Sequence, residues 1–323
     1  MVSAVHRCRP PGPAPDGVLW PVRWEDERPP PEGTALEPVH RVIHGDNLDA
    51  LRLLPDGVAR LIYIDPPFNT GKSQSRTVNR MIADPTATRA GYRGTRYRSE
   101  ILSRLTYADR FDDFLTFMEP RLLEAYRVLA PDGTLYVHLD YREVHYCRLL
   151  LDALFGEECL LNEIIWAYDY GARAKRRWPA KHDNILVYVK DPARYVFNTE
   201  DVDREPYMVP GLVTPEKRER GKLPTDVWWH TIVSPTGKEK TGYPTQKPIG
   251  VLRRIIRASS APGDIVLDFF AGSGTTGAAA AELGRRFILV DSADDAIATM
   301  RRRLVAVPDV SWEMPGPKQA DDA

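Results

Sequence analysis

Between residues 265 and 291 the chain reads strand, glycine turn, helix, strand and acid, an order that few folds accommodate. Ile265-Val266-Leu267-Asp268-Phe269 is apolar except for one carboxylate at its end. Gly272-Ser273-Gly274 makes the turn, an alanine-rich stretch to residue 284 makes the helix, and residues 287–290 make a strand that closes on Asp291. Glycines at the turn let backbone approach a ligand, and the helix N-terminus offers free N–H groups. Asp291 lies 19 residues after Gly272, so the segment is G-x-G-x-x-G with a downstream acid. The plain alternative is a glycine turn that only packs a helix on a strand.

The same alternation runs through the rest of the chain. Residues 39–44, 59–64, 134–139, 160–167 and 184–189 are apolar runs of strand length. Residues 47–54, 111–129, 143–155, 248–261 and 296–304 carry helical periodicity. Pro120 is expected to split the second helix, and Pro131-Asp132-Gly133 to form a turn before the strand at 134. The fold expected is α/β: a doubly wound, Rossmann-like sheet with an inserted lobe. Five segments follow: a Pro-rich, poorly ordered lead-in (1–38, nine prolines); a first part of the main domain (39–167) with a basic loop at 71–104; an insertion (168–245) that breaks the rhythm; a second part of the main domain (246–308); and a polar tail (309–323).

A chain of 323 residues that is 43% hydrophobic can build a large core, and a net charge of −1 selects no partner. Cys8, Cys147 and Cys159 have no C-x-x-C spacing and read as free thiols of a reducing compartment. With no apolar run near the length of a bilayer span and no signal peptide, a cytoplasmic protein is expected. No His, Cys or carboxylate cluster has metal-ligand spacing, so no metal is expected.

Asp65-Pro66-Pro67-Phe68 follows the run Leu61-Ile62-Tyr63-Ile64, at the strand edge where open α/β sheets bind ligands. A carboxylate, a rigid proline carbonyl and an aromatic face suit a flat ring bearing an amine, such as a nucleobase drawn out of its stack. Phe68 is read as a stacking face, against the alternative of plain core. For the glycine turn, NAD or FAD competes with S-adenosylmethionine. Asp268 suits an ammonium group better than a pyrophosphate, the Asp65 tetrapeptide has no part in hydride transfer, and Thr245-Gln246-Lys247-Pro248 adds polar groups to the same place. These favour S-adenosylmethionine.

Together, His44-Gly45-Asp46, Asp65-Pro66-Pro67-Phe68-Asn69-Thr70-Gly71, Thr245-Gln246-Lys247-Pro248 and the stretch 268–276 resemble the amino-methylating DNA methyltransferases. The order, catalytic motif first and cofactor motif last, is that of the permuted group with Type III modification subunits and many bacterial adenine methyltransferases. The likeness covers residues 40–305. It implies a restriction-modification type of enzyme that moves a methyl group from S-adenosylmethionine to the N6 amine of a flipped adenine in double-stranded DNA. N4 of cytosine is the alternative, and an Asp at position 65 favours adenine. It also implies a target-recognition region at 168–245, self-association and a restriction partner.

Carried onto this sequence, the catalytic residues are Asp65, Pro66, Pro67 and Phe68. The cofactor residues are Asp46, Thr245, Gln246, Lys247, Asp268, Phe269, Ala271, Gly272, Ser273, Gly274, Thr275 and Asp291. Within that set Asp268 is expected at the methionine ammonium, Asp291 at the ribose and Asp46 at the adenine amine. Asp46 can instead cap a helix, and Lys247 can instead be a solvated surface lysine. Arg93 and Arg96 on the basic loop, and Arg173, Lys175, Arg176, Arg177 and Lys181 around Trp178, are expected to meet DNA. The competing classes are a nicotinamide-dependent oxidoreductase and a non-catalytic nucleic-acid-binding protein.

Overall fold

The computed structural model describes residues 40–67, 114–169, 174–234 and 236–314 in full, and the backbone alone of 74–83, 89–90 and 96–107. In chain order the strands and helices begin with β1 (His40–His44), α1 (Asn47–Arg52), β2 (Ala59–Ile64), β3 (Gln74–Ala83), β4 (Arg89–Ala90) and β5 (Arg96–Tyr107). They continue with α2 (Phe114–Val128), β6 (Leu129–Leu139), α3 (Val144–Phe155), β7 (Leu160–Ala167), β8 (His182–Val189), α4 (Pro215–Arg220) and β9 (Val227–Trp229). The last are α5 (Ile249–Ser259), β10 (Ile265–Asp268), α6 (Thr275–Glu282), β11 (Arg286–Asp291), α7 (Asp294–Arg303) and β12 (Val310–Glu313).

Nine strands form one sheet in the order β12-β1-β11-β10-β2-β6-β8-β7-β9. The pairs from β12 to β6 are parallel, and β8 runs antiparallel to both β6 and β7. Both faces are covered, which is why the central strands read as continuous apolar runs. Ile62 and Ile64 of β2 face a core shared with α1, α2 and α3. Leu61 and Tyr63 face the core of α5, α6 and α7. Helix α5 buries Val251, Leu252, Ile255 and Ile256 and turns Arg253, Arg254 and Arg257 outward, one apolar stripe at helical spacing. From β10 the chain crosses by α6 to β11 on one side, and from β2 it proceeds to β6 on the other. The switch point therefore lies between β10 and β2, with Asp268 and Asp65 at its rim.

Several expectations need correction. Helix α2 is continuous, with Pro120 inside it; Pro120 removes one N–H, while Met118, Leu122 and Ala125 hold the helix by burial on either side. Residues 130–133 lie within β6 as an irregularity: Ala59 faces Leu129 while Leu61 already faces Thr134. The basic loop at 71–104 contains the antiparallel pair β3–β5, with β4 on its far edge. The pairing register shifts between Val78 and Asn79. Segment 168–245 supplies β8 and β9 to the central sheet, so its boundary runs through the sheet. The polar tail contributes β12, paired with β1 and held by the bidentate ion pair of Arg41 with Glu313 (2.9 and 2.6 Å). Cys147 and Cys159 are buried and free, as expected.

Candidate active site

The tips of β2 and β10 share a hollow of about 390 Å³, within the range of small-molecule sites. Asp65, Pro66 and Pro67 form one wall. Asp268, Phe269, Ala271, Gly272, Ser273 and Thr275 form the floor, and Asp291 with Asp46 closes the far side. Thr245, Gln246 and Lys247 lie over it. The structure thus brings together nearly every residue expected at the catalytic and cofactor sites. Phe68 lies outside the described residues.

The floor is built by the glycine turn. Gly274 has φ +71° and begins α6; a Cβ there would come 2.7 Å from Met300 Cγ, so only glycine lets α7 pack this close. Gly277, one turn on, lies against Leu289 of β11, where a Cβ would meet Cδ1 at 2.6 Å. The carboxylate of Asp268 is 3% exposed and accepts from Phe270 N (3.0 Å) and Thr276 Oγ1 (2.6 Å). Burial pushes its pKa up to about 7; the two hydrogen bonds oppose this, and the charges of Asp65 and Asp291 add to it. Asp291 accepts from Gly272 N (2.7 Å) and Ala293 N (2.9 Å), and burial raises it too. A buried acid held near neutrality fits a cation, and the ammonium of S-adenosylmethionine is such a group.

Asp65 is arranged differently. Its Oδ2 accepts from Lys247 Nζ in a close ion pair, and Lys247 is only 8% exposed. The solvated reading of Lys247 is overturned, and its ammonium is engaged with the Asp65 side of the hollow. Asp65 Oδ1 is buried and has no hydrogen-bond partner among the described residues. An acceptor in that state is open to an N–H donor from a ligand.

Two expected cofactor residues also make bonds within the protein. Asp46 Oδ1 caps α1, accepting from Leu48 N (2.8 Å) and Asp49 N (3.3 Å), and its Oδ2 meets Arg121 at 3.1 Å. The capping alternative is therefore the one the structure adopts, although Asp46 still lines the hollow. Gln246 spends its amide on its own loop: Oε1 accepts from Thr241 N and Oγ1, and Nε2 donates to the Glu239 carbonyl.

Arg121 and Tyr63 are site residues that sequence reasoning did not single out. Arg121 bonds Asn47 Oδ1 (2.6 Å), and Asn47 in turn bonds the Phe269 carbonyl (2.8 Å), so α1 and α2 lock the floor in place. Its position three and four residues beyond Met118 and Phe117, on the buried stripe of α2, was the available signal. Tyr63, two residues before Asp65, also lines the hollow.

Of the residues expected at DNA, Lys175, Arg176 and Arg177 are exposed, and Trp178 is 95% exposed. Lys181 is half-buried and bonds the Asp169 carbonyl at 2.7 Å. Arg93 and Arg173 fall outside the described residues, and Arg96 opens β5, of which only backbone is described. Strand β7 runs in the direction of β2, because both β6 and β7 are antiparallel to β8. The segment after β7 therefore leaves the sheet at the same edge as Asp65.

A doubly wound sheet with this hollow at its switch point and acids on both strand tips defines a Rossmann-like enzyme fold with a ligand site at the strand ends. The comparisons give the family. A profile described as DNA methylase, for N6 and N4 methylation, matches residues 59–302. DNA adenine methyltransferase YhdJ of Escherichia coli (strain K12) is 32% identical over 271 residues, 81% of this chain and 82% of that protein. Type II methyltransferase M.HpaI of Haemophilus parainfluenzae is 31% identical over 265 residues, 82% and 74% of the two chains. TTHA0409 of Thermus thermophilus, solved with S-adenosyl-L-methionine, shares the fold with a TM-score of 0.51 at 24% identity, over 85% of this chain and 98% of that one. The chain belongs to the N6/N4 DNA methylase family and is an S-adenosylmethionine-dependent DNA methyltransferase.

Proposed function

We propose that this enzyme methylates the N6 amine of an adenine extruded from double-stranded DNA, with Asp65 as the acceptor that orients the amine. The observation that carries this reading is the divided carboxylate: Lys247 holds Oδ2, and Oδ1 stands buried without a partner among the described residues, at the rim of the hollow. An exocyclic amine is a poor nucleophile because its lone pair is delocalised into the ring. Asp65 Oδ1 and the Pro66 carbonyl each accept one N–H, which draws the nitrogen toward tetrahedral geometry and frees the lone pair. S-adenosylmethionine supplies the electrophilic sulfonium methyl. The nitrogen becomes acidic as it gains the methyl, and Asp65 is placed to receive the departing proton. Asp268 is assigned to the ammonium of the donor and Asp291 to its ribose, with the turn Gly272-Ser273-Gly274 and Thr275 as the floor. Pro67 stiffens the tetrapeptide and Phe68 stacks on the extruded base.

Adenine is favoured over cytosine by Asp65 at the head of the tetrapeptide and by the relative named as an adenine methyltransferase. The cationic stretch Lys175, Arg176 and Arg177 with Trp178, at the same edge as Asp65, is assigned to DNA backbone and bases, with Arg93, Arg96, Arg173 and Lys181 as further candidates. The proposal includes target recognition by 168–245, action on DNA in the cytoplasm, self-association and a restriction partner. The test is enzymatic digestion of DNA treated with the enzyme and labelled donor, followed by nucleoside separation. Label in N6-methyl-2′-deoxyadenosine is expected. Label in N4-methyl-2′-deoxycytidine would replace adenine by cytosine, and no label in either would overturn the reading.

A further inference from the structure

Beneath the site a hydrogen-bond chain runs from β2 through β6 and β8 to the end of β7. Tyr63 Oη lies 2.8 Å from His138 Nδ1, and His138 Nε2 lies 3.2 Å from Asp183 Oδ2. Tyr168 Oη donates to Asp183 Oδ1 at 3.1 Å. His138 is fully buried on β6, Tyr63 is 2% exposed and Asp183 8%. The ring of Trp166 packs edge-on against His138, with 5.3 Å between ring centroids. Burying polar side chains is costly unless each is satisfied, and their mutual bonding meets that condition.

The ends of the chain give it meaning. Tyr63, near the end of β2, lines the same hollow as Asp65, two residues away. Tyr168 and Asp183 stand at the two ends of the loop that carries Lys175, Arg176, Arg177 and Trp178. That loop is closed at its base, where Tyr168 N donates to the Lys181 carbonyl at 2.9 Å. Burial alone would raise Asp183, but the His138 bond and charge, Lys247 and the Tyr168 hydroxyl outweigh it and hold the carboxyl below its usual range. Burial, with the charges of Asp65, Asp268 and Asp183, holds the Tyr63 phenol well above its usual value. An ionised Asp183 can only accept, so Nε2 of His138 donates to it, while Nδ1 faces the Tyr63 hydroxyl.

We propose that His138 is a positioning residue that couples the cationic 168–183 loop to the catalytic strand, so that docking of DNA on the loop is felt at the Asp65 rim of the hollow. This rests on the assignment of the loop to DNA. The coupling is thermodynamic and reciprocal: DNA changes affinity for the methyl donor by the same factor as the donor changes affinity for DNA. His138 touches neither ligand and acts through Tyr63.

The test measures donor affinity with and without duplex DNA, together with the single-turnover methylation rate, in the wild-type protein and in His138→Leu, His138→Gln and Tyr168→Phe. Expected for the wild type is a coupling factor of about tenfold. His138→Leu and Tyr168→Phe should each bring the factor within about twofold of unity and slow methylation about tenfold, while leaving donor affinity without DNA unchanged. His138→Gln, whose amide can accept from Tyr63 and donate to Asp183, should restore both. The double variant His138→Leu/Tyr168→Phe should be no worse than either single one. An unchanged factor in a folded His138→Leu protein would overturn the proposal. So would parallel loss of donor affinity without DNA, or failure of glutamine to rescue. Alanine at Lys175, Arg176 and Arg177 with no loss of DNA affinity would instead remove the loop's assignment to DNA.

Discussion

The two halves of the hollow are built on opposite principles. On the β10 side the acids are braced at two points and keep acceptor capacity for a ligand: Asp268 and Asp291 each accept two hydrogen bonds, from the turn or from the segment that opens the next helix. On the β2 side Asp65 is held on one oxygen only, among the described residues. Bracing fixes the shape of a binding floor before any ligand arrives, which lowers the cost of binding. An unsatisfied acceptor is costly in the resting protein, and that cost is recovered when a donor arrives, so it belongs where the transferred group must be aimed. One half binds by being braced and the other reacts by being left incomplete.

The largest effect should come from the incomplete half. Asp65→Ala is expected to lower the methylation rate by at least about 10³-fold, as for loss of a main electrostatic contact to the reacting group. Donor affinity should stay within a few-fold, read by calorimetry. If donor affinity falls as far as the rate, the division between the halves is wrong.

The braced half should report itself through pH. The folded-state pKa of Asp268 is about 7, above the ordinary value of 3.8. The folded protein therefore holds an extra proton between these values, and stability without ligand should fall as pH rises from about 4 to about 7, by a few kcal/mol. Donor affinity should rise over the upper part of that window as the carboxylate forms to meet the ammonium. Asp268→Asn should flatten the stability slope and abolish the rise in affinity; thermal melts and calorimetry at stepped pH decide it. A wild-type stability profile that rises through this window would contradict the assignment.

The smallest effect lies outside the hollow. Replacing Lys175, Arg176 and Arg177 by alanine should weaken DNA binding about evenly across sequences. It should also reduce the slope of log K against log salt by about one for each phosphate no longer neutralised. Donor affinity without DNA should not change. A slope identical to wild type would take these side chains off the DNA.

What was legible in the sequence was local. The strands at 59–64 and 160–167 match β2 and β7 residue for residue, because a short apolar run bounded by turn residues needs no distant information. The glycine turn was equally plain, since Gly274 and Gly277 are required by close approaches that their spacing announces. What escaped depended on partners far along the chain. Lys247 was expected at the site, but its pairing with Asp65 was not, because the two lie 182 residues apart in the chain. Arg121 was not singled out because its partner Asn47 lies on another helix. Strand β12 hid in a polar tail because its pairing with β1 spans most of the chain.

The pairing of β12 with β1 has a practical consequence. Four residues, ending on a glutamate tied to Arg41, seal a margin of a nine-stranded sheet. A version of the protein trimmed before Val310 would bare the ladder of His40, Arg41, Val42 and Ile43, a ready template for a neighbouring molecule. Such a trimmed protein should clump in solution even if its hollow were intact, so solubility would fail before chemistry does.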